Sequence, residues 1–169
     1  MQLIKLGTKI AAPPDRCFLL SLNIDLHKES TAQTHERAIA GVTHGLIGPN
    51  QTVTWQGRHF GLMLTQETLI SKYERPHHFR DIMLRGIFRS FDHDHYFDPL
   101  PDNTTLMRDE LRFVAPLGVL GRVAETLILR RYLTTFLKQR NDLIKQVAEG
   151  KPEIWSRYVD PTPSASNPP

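Results

Sequence analysis

The sequence predicts an α+β domain in which an antiparallel sheet of about seven strands meets one long C-terminal helix. Three features predict it. About eighty residues from Gln33 onward alternate apolar and polar side chains, a period of two interrupted by glycine and proline. Ahead of that run, proline and aspartate mark two short helices after a first strand. Behind it, Leu117 to Glu149 carries apolar residues at helical spacing.

The elements follow in order. In Gln2 to Ala12, Ile4, Leu6, Thr8 and Ile10 alternate with Lys5, Gly7 and Lys9, and Pro13-Pro14 stops that strand. Pro14 suits the first position of a helix, and Asp15 favours its positive end. Asp15 to Leu22 then puts Phe18, Leu19 and Leu22 on one side. Asn23 ends that helix, and Asp25 is placed to cap a second, Leu26 to Ser30. Strands are expected at Thr34 to Ala40, Thr52 to Phe60, Leu62 to Glu74, His78 to Phe88, Arg89 to Phe97 and Thr104 to Ala115. The glycines of Gly41 to Gly48 read as a connection, since their spacing lacks the Lys-Ser/Thr ending of a phosphate loop. In the long helix Leu129, Leu133, Phe136, Leu137, Ile144, Val147 and Ala148 share a face, while Leu120, Val123, Ala124 and Leu127 fall on another, rotated by roughly 120°. That second stripe is expected to act as a lid. The domain is expected to run from Met1 to about Gly150. Residues 151–169 contain five prolines and read as a largely disordered tail.

Composition narrows the class. The chain has 169 residues, 40% hydrophobic and 23% charged, enough for one packed core. No apolar run approaches the roughly 20 residues of a membrane span, and MQLIKLGTKI lacks a signal peptide's apolar block, so a cytoplasmic location is expected. The single cysteine, Cys17, excludes a disulfide framework, and it reads as a buried structural thiol. The formal charge of +3 resides in Leu117 to Glu149, which holds six basic and three acidic residues. Without a dense basic run or interleaved aromatics, that face reads as solvated rather than nucleic-acid binding. Arg130, Arg131 and Lys138 leave open a protein-interaction surface.

Several segments match a known group: IAAPP (Ile10 to Pro14), ERAIAGVTHG (Glu36 to Gly45), VTW (Val53 to Trp55), HFG (His59 to Gly61), FRDIMLRGIF (Phe79 to Phe88), HDHYF (His93 to Phe97) and PLGVLG (Pro116 to Gly121). Together with the element order, they make the chain resemble a bacterial branch of the START-like SRPBCC superfamily, related to polyketide cyclases and dehydrases and to the major birch-pollen allergen. The resemblance implies the helix-grip fold, a curved sheet around the C-terminal helix with an apolar cavity between them. It leaves function open, since lipid carriers, hormone receptors, aromatase/cyclases and iron-dependent oxygenase subunits share that fold.

Strand parity then selects the residues that face inward. Phe91, His93, His95 and Phe97 share one side of a strand, opposite Asp92, Asp94, Tyr96 and Asp98. On the last strand Thr105, Met107, Asp109, Leu111 and Phe113 share a side, and Phe79, Asp81 and Met83 form a similar set. Arg140 lies within the apolar face of the helix. Asp81, His93, His95, Asp109 and Arg140 are therefore expected to be buried or partly buried, where charges must pair or shift their pKa. Three roles stand open: an ion-pair network, recognition of a ligand's polar end, and acid–base or metal chemistry. His-x-His places both imidazoles on one side, but no local motif supplies a third ligand, so no metal and no cofactor is assigned. His77 and His78 point to opposite faces and read as loop or edge residues. Arg37 reads as a surface residue or a cap on the cavity mouth.

The expected function is binding of a small or medium apolar molecule of lipid, polyketide or isoprenoid type. Trp55, Met83, Phe91, Phe97, Met107 and Phe113 are expected as wall. Asp81, His93, His95, Asp109 and Arg140 are expected as polar contacts. The alternatives are a cyclase or dehydratase using His93 or His95 as acid or base, and an interaction module using the basic helix face. Neither nucleic acid nor stable membrane insertion is expected.

Overall fold

A computed structural model of the chain describes residues 1–115 and 128–159. Strand β1 (Gln2–Ile10) ends before Pro13-Pro14, and Pro14 opens α1 (Pro14–Ser21), where its missing N–H has no helical partner to lose. Asn23 caps α2 (Ile24–Ser30), accepting the Leu26 N–H at 2.8 Å. The expected cap was Asp25. Asn23 takes that role because its backbone is extended there, and Asp25 instead accepts the Gly45 N–H at 2.8 Å and pairs with Lys28 at 2.7 Å. A 3-10 turn, Ala32–Thr34, replaces the expected start of the second strand.

Six strands follow: β2 (Arg37–Gly41), β3 (Thr52–His59), β4 (Leu62–Glu74), β5 (His78–Arg85), β6 (Ser90–Leu100) and β7 (Thr104–Val114). They form an antiparallel sheet in the order β1-β7-β6-β5-β4-β3-β2. Register shifts at Ala38/Ala40, Glu67/Thr68 and Ile70/Lys72 introduce irregularities that bend and twist strands, and the sheet curls. Parity on β7 is regular after Thr104: Thr105, Met107, Asp109, Leu111 and Phe113 are buried, and Leu106, Arg108, Glu110, Arg112 and Val114 only partly so.

The long helix α3 (Arg130–Ala148) lies across β1, α1 and α2. It buries Leu133, Leu137, Ile144, Val147 and Ala148, and with them Arg140 and Asn141. The stripe from Leu120 to Leu127 lies outside the described residues. Phe18 of α1 is the hub of the core, with edge-on contacts to Phe79 at 5.5 Å, Phe97 at 5.4 Å and Tyr73 at 5.2 Å. Such pairs add about 0.5–1.5 kcal/mol each beyond the area they bury.

Regular structure continues after Gly150, where the prolines read as a tail. Pro152–Val159 forms a further helix, α4, packed on α1. Pro152 does not break the chain there; it occupies the first helical position, where proline is favoured. Tyr158 is buried, its carbonyl accepts Asn23 Nδ2–H at 2.8 Å, and its hydroxyl donates to the Glu29 carboxylate at 2.9 Å. No helix among the described residues is long and apolar enough to cross a membrane.

Candidate functional site

Between the curled sheet and α3 lies a cavity of about 190 Å³. Its wall is largely apolar, with Val53, Trp55, Ile70, Phe79, Phe91 and Leu111 from the sheet and Leu133, Phe136 and Leu137 from α3. Phe60 and Ile87 reach it while remaining 56% and 40% exposed, so they mark its mouth.

One polar cluster joins β5, β6 and β7 because three register pairs stack side by side. Asp81 is opposite His93, His95 is opposite Asp109, and Phe79 is opposite His95. His95 is clamped, its ring stacked on Phe79 at 4.1 Å and tilted against His93 at 3.7 Å. Asp109, fully buried, accepts from His93 Nε2 at 2.9 Å and from Asn141 Nδ2 at 2.6 Å. Asp81 Oδ1 accepts from His95 Nε2 at 2.9 Å. Arg140 Nη1 approaches Asp109 Oδ1 at 3.8 Å, and its Nη2 donates to the Ser21 carbonyl at 3.0 Å.

The electrostatics follow from these contacts. Burial works to raise both carboxyl pKa values, but hydrogen bonds from the imidazoles and nearby positive charge outweigh it. Asp81 lies below the ordinary carboxylate range and Asp109 well below it. Burial, reinforced by His95, lowers His93 despite the pull of Asp109 and Asp81. Burial also lowers Arg140, opposed by the same two carboxylates. The result is a pair of ionised acids and one guanidinium beside apolar wall, able to orient a carbonyl, hydroxyl or carboxylate.

A second polar cluster faces the same cavity on the β2–β3 side. Glu36 bridges two histidines, His27 Nε2 at 2.9 Å and His59 Nε2 at 3.2 Å. His59 Nδ1 then meets the Tyr132 hydroxyl at 2.6 Å, and His27 lies 4.2 Å from the Trp55 ring. Burial opposes ionisation of Glu36, yet the hydrogen bonds from His27 and His59 bring its pKa down to about 2. Burial, with the Glu36 charge, raises Tyr132.

The sequence-derived residues divide accordingly. Trp55, Asp81, Phe91, His93, His95 and Arg140 line the cavity. Asp109 lies behind the histidines, and Phe97, Met107 and Phe113 belong to the packed core rather than the wall. Met83 is half-buried and does not reach the cavity, lying between the two irregularities that bend β4 against β5. Arg37 is exposed, and its neighbour Glu36 turns inward instead. His78 is neither loop nor edge: it is buried, stacked on Tyr96 at 4.6 Å and bonded to Asp94 at 2.8 Å. Asp94, expected to face outward, is sealed under Arg80 and Arg112, whose hydrogen bonds outweigh burial and lower its pKa. Cys17 is buried, and burial pushes its thiol up to about 11, which removes it as a nucleophile. Arg130, Arg131 and Lys138 are exposed on α3. Sequence reasoning missed His27, Glu36, His59 and Tyr132. Parity held one clue, since His59 continues the Val53–Trp55–Gly57 face of β3.

No protein-family model matches the chain, and no curated protein sequence matches it. Solved structures do. A START superfamily protein from Mycobacterium smegmatis superposes with a TM-score of 0.65 at 11% identity, covering 87% of this chain and 97% of that one. The ZhuI aromatase/cyclase from Streptomyces sp. R1128 superposes with a TM-score of 0.66 at 12% identity, over 86% and 94% of the two chains. The chain has the START-like fold. A protein of Thermus thermophilus shares it at 15% identity and a TM-score of 0.64, over 85% and 97%. The START-like sheet explains the site's layout. Curling brings β3 and β6 to face the same helix, so polar groups far apart in sequence end on one cavity.

Proposed function

We propose that this chain binds a compact apolar molecule, of polyketide or isoprenoid type, with a polar group held by Asp81, His93, His95 and Arg140. The observation that carries this reading is an apolar cavity with buried polar side chains gathered at its wall. Size refines the class. A cavity of about 150 Å³ holds benzene, so about 190 Å³ suits one ring or a short branched segment better than a long acyl chain. The open mouth at Phe60 and Ile87 lets a longer remainder project outward.

The chain has two tryptophans, and only Trp55 lines the cavity. In a Trp155→Phe variant, a bound naphthalene-sized probe is expected to quench and blue-shift Trp55 emission saturably. Phe91→Ala is expected to weaken that binding about tenfold, the equivalent of about 1.4 kcal/mol. Emission that ignores the probe removes the reading.

A cyclase or dehydratase is the second reading, favoured by the Asp109–His93 hydrogen bond, which orients an imidazole as acid–base partners require. The aromatase/cyclase likeness supports it as an analogy of fold. It predicts that His93→Gln abolishes turnover of an enolisable polyketide mimic while probe binding persists.

A further inference from the structure

His95 is the least satisfied member of the buried cluster. Its Nδ1 is buried without a hydrogen bond, 3.1 Å from Asp109 Oδ1. Its Nε2 lies 2.9 Å from Asp81 Oδ1 at the cavity wall.

His93 turns a second ring nitrogen toward Asp81. Its Nε2–H donates to Asp109 Oδ1 at 2.9 Å, which leaves Nδ1 as the free lone pair, 4.0 Å from Asp81 Oδ1. One ligating atom each from Asp81, His93 and His95 lies within 4.8 Å of the other two. All three residues line the cavity. Behind them, Asp109 faces both rings and is itself held by Asn141 at 2.6 Å. A carboxylate behind a histidine fixes its tautomer and orients it toward a metal.

We infer that Asp81, His93 and His95 form a binding site for one divalent transition-metal ion, such as Zn(II) or Co(II), at the wall of the cavity. Two borderline imidazole nitrogens beside a single hard carboxylate oxygen suit these ions rather than Ca(II) or Mg(II), which take mostly oxygen donors. Three protein ligands leave positions open, the pattern of a reactive rather than a structural site. An open position facing the cavity takes an oxygen of the bound molecule, such as a carbonyl, enolate or carboxylate, which the ion polarises as a Lewis acid. Only this identity of the oxygen donor rests on the proposed binding of an apolar molecule. Metal uptake is measured without one, so the two readings fail separately.

The test uses full-length protein stripped with a chelator and titrated with Co(II), then Zn(II). The expected result is one Co(II) per chain with visible d–d absorption, displaced by Zn(II). Asp81→Asn is expected to weaken binding at least tenfold, and Asp109→Asn about 10–100-fold through ring orientation. His77→Ala is expected to leave it unchanged. Zn(II) added to 15N-histidine-labelled wild type tests the site without any substitution. His93 Nδ1 and His95 Nε2 are expected to shift and the other ring nitrogens to stay. Absence of uptake, or uptake that leaves those two nitrogens unmoved, overturns the assignment.

Discussion

Glu36 shows how one residue stores stability that depends on pH. Its carboxylate sits between His27 and His59, near the Tyr132 hydroxyl that His59 also engages. Gly57 makes the seat: a Cβ there would lie 2.6 Å from Glu36 Cγ. The folded pKa of about 2 stands below the ordinary 4.5. The unfolded state therefore takes up a proton first as pH falls. Glu36 contributes its full stabilisation above pH 4.5, on the order of 3 kcal/mol, and loses it between pH 4.5 and 2. Glu36→Gln is expected to be less stable than wild type at pH 7, with the gap narrowing at pH 3.5. Urea midpoints at the two pH values check this. A gap constant with pH would show that the carboxylate's charge contributes nothing there. Gly57→Ala is expected to reproduce part of the loss by moving Glu36 off its partners.

At the scale of elements, α4 ties the chain's end to its beginning. Tyr158 fills a site against α1 and α2, and Arg16 of α1 stacks over Trp155 at 4.1 Å. Tyr158→Ala is expected to cost about 3 kcal/mol, as truncation of a buried aromatic does, and Tyr158→Phe about 1 kcal/mol for its bond to Glu29. Denaturant unfolding with unchanged slope checks both. This helix was illegible in the sequence because Pro152 and the prolines after Asp160 read alike, although one starts a helix and the others lie outside the described residues. The strands were legible for the opposite reason. Period two on β6 and β7 is regular enough to place His93, His95 and Asp109 on one face. Parity says which face a side chain takes, but not how far along the cavity it sits. Phe97 and Met107 share that face and are core, because α1 covers them. Glu36, His27, His59 and Tyr132 come from four separate segments, and only the curl of the sheet brings them together.

For the whole molecule, the decisive balance is between a cavity that carries buried charge and a core that would be simpler without it. Asp109, His93 and His95 of the sheet and Arg140 and Asn141 of α3 are all buried, where a solid apolar interior would fill the same space. Removing one member strands its partners, so Asp109→Leu alone is expected to cost about 3–5 kcal/mol. Replacing the group together is different, since no unpaired charge remains. The combined variant Asp81→Leu, His93→Phe, His95→Phe, Asp109→Leu, Arg140→Met and Asn141→Leu is expected to be as stable as wild type, or more so by about 1–4 kcal/mol. It is also expected to lose Co(II) uptake. Urea unfolding and metal titration of the single and combined variants separate the two roles. If the combined variant is as unstable as Asp109→Leu, the cluster holds α3 to the sheet, and its polar groups are explained by folding alone. If stability returns while metal binding is lost, the START-like sheet keeps these charges at a cost to its own stability, and binding is what retains them.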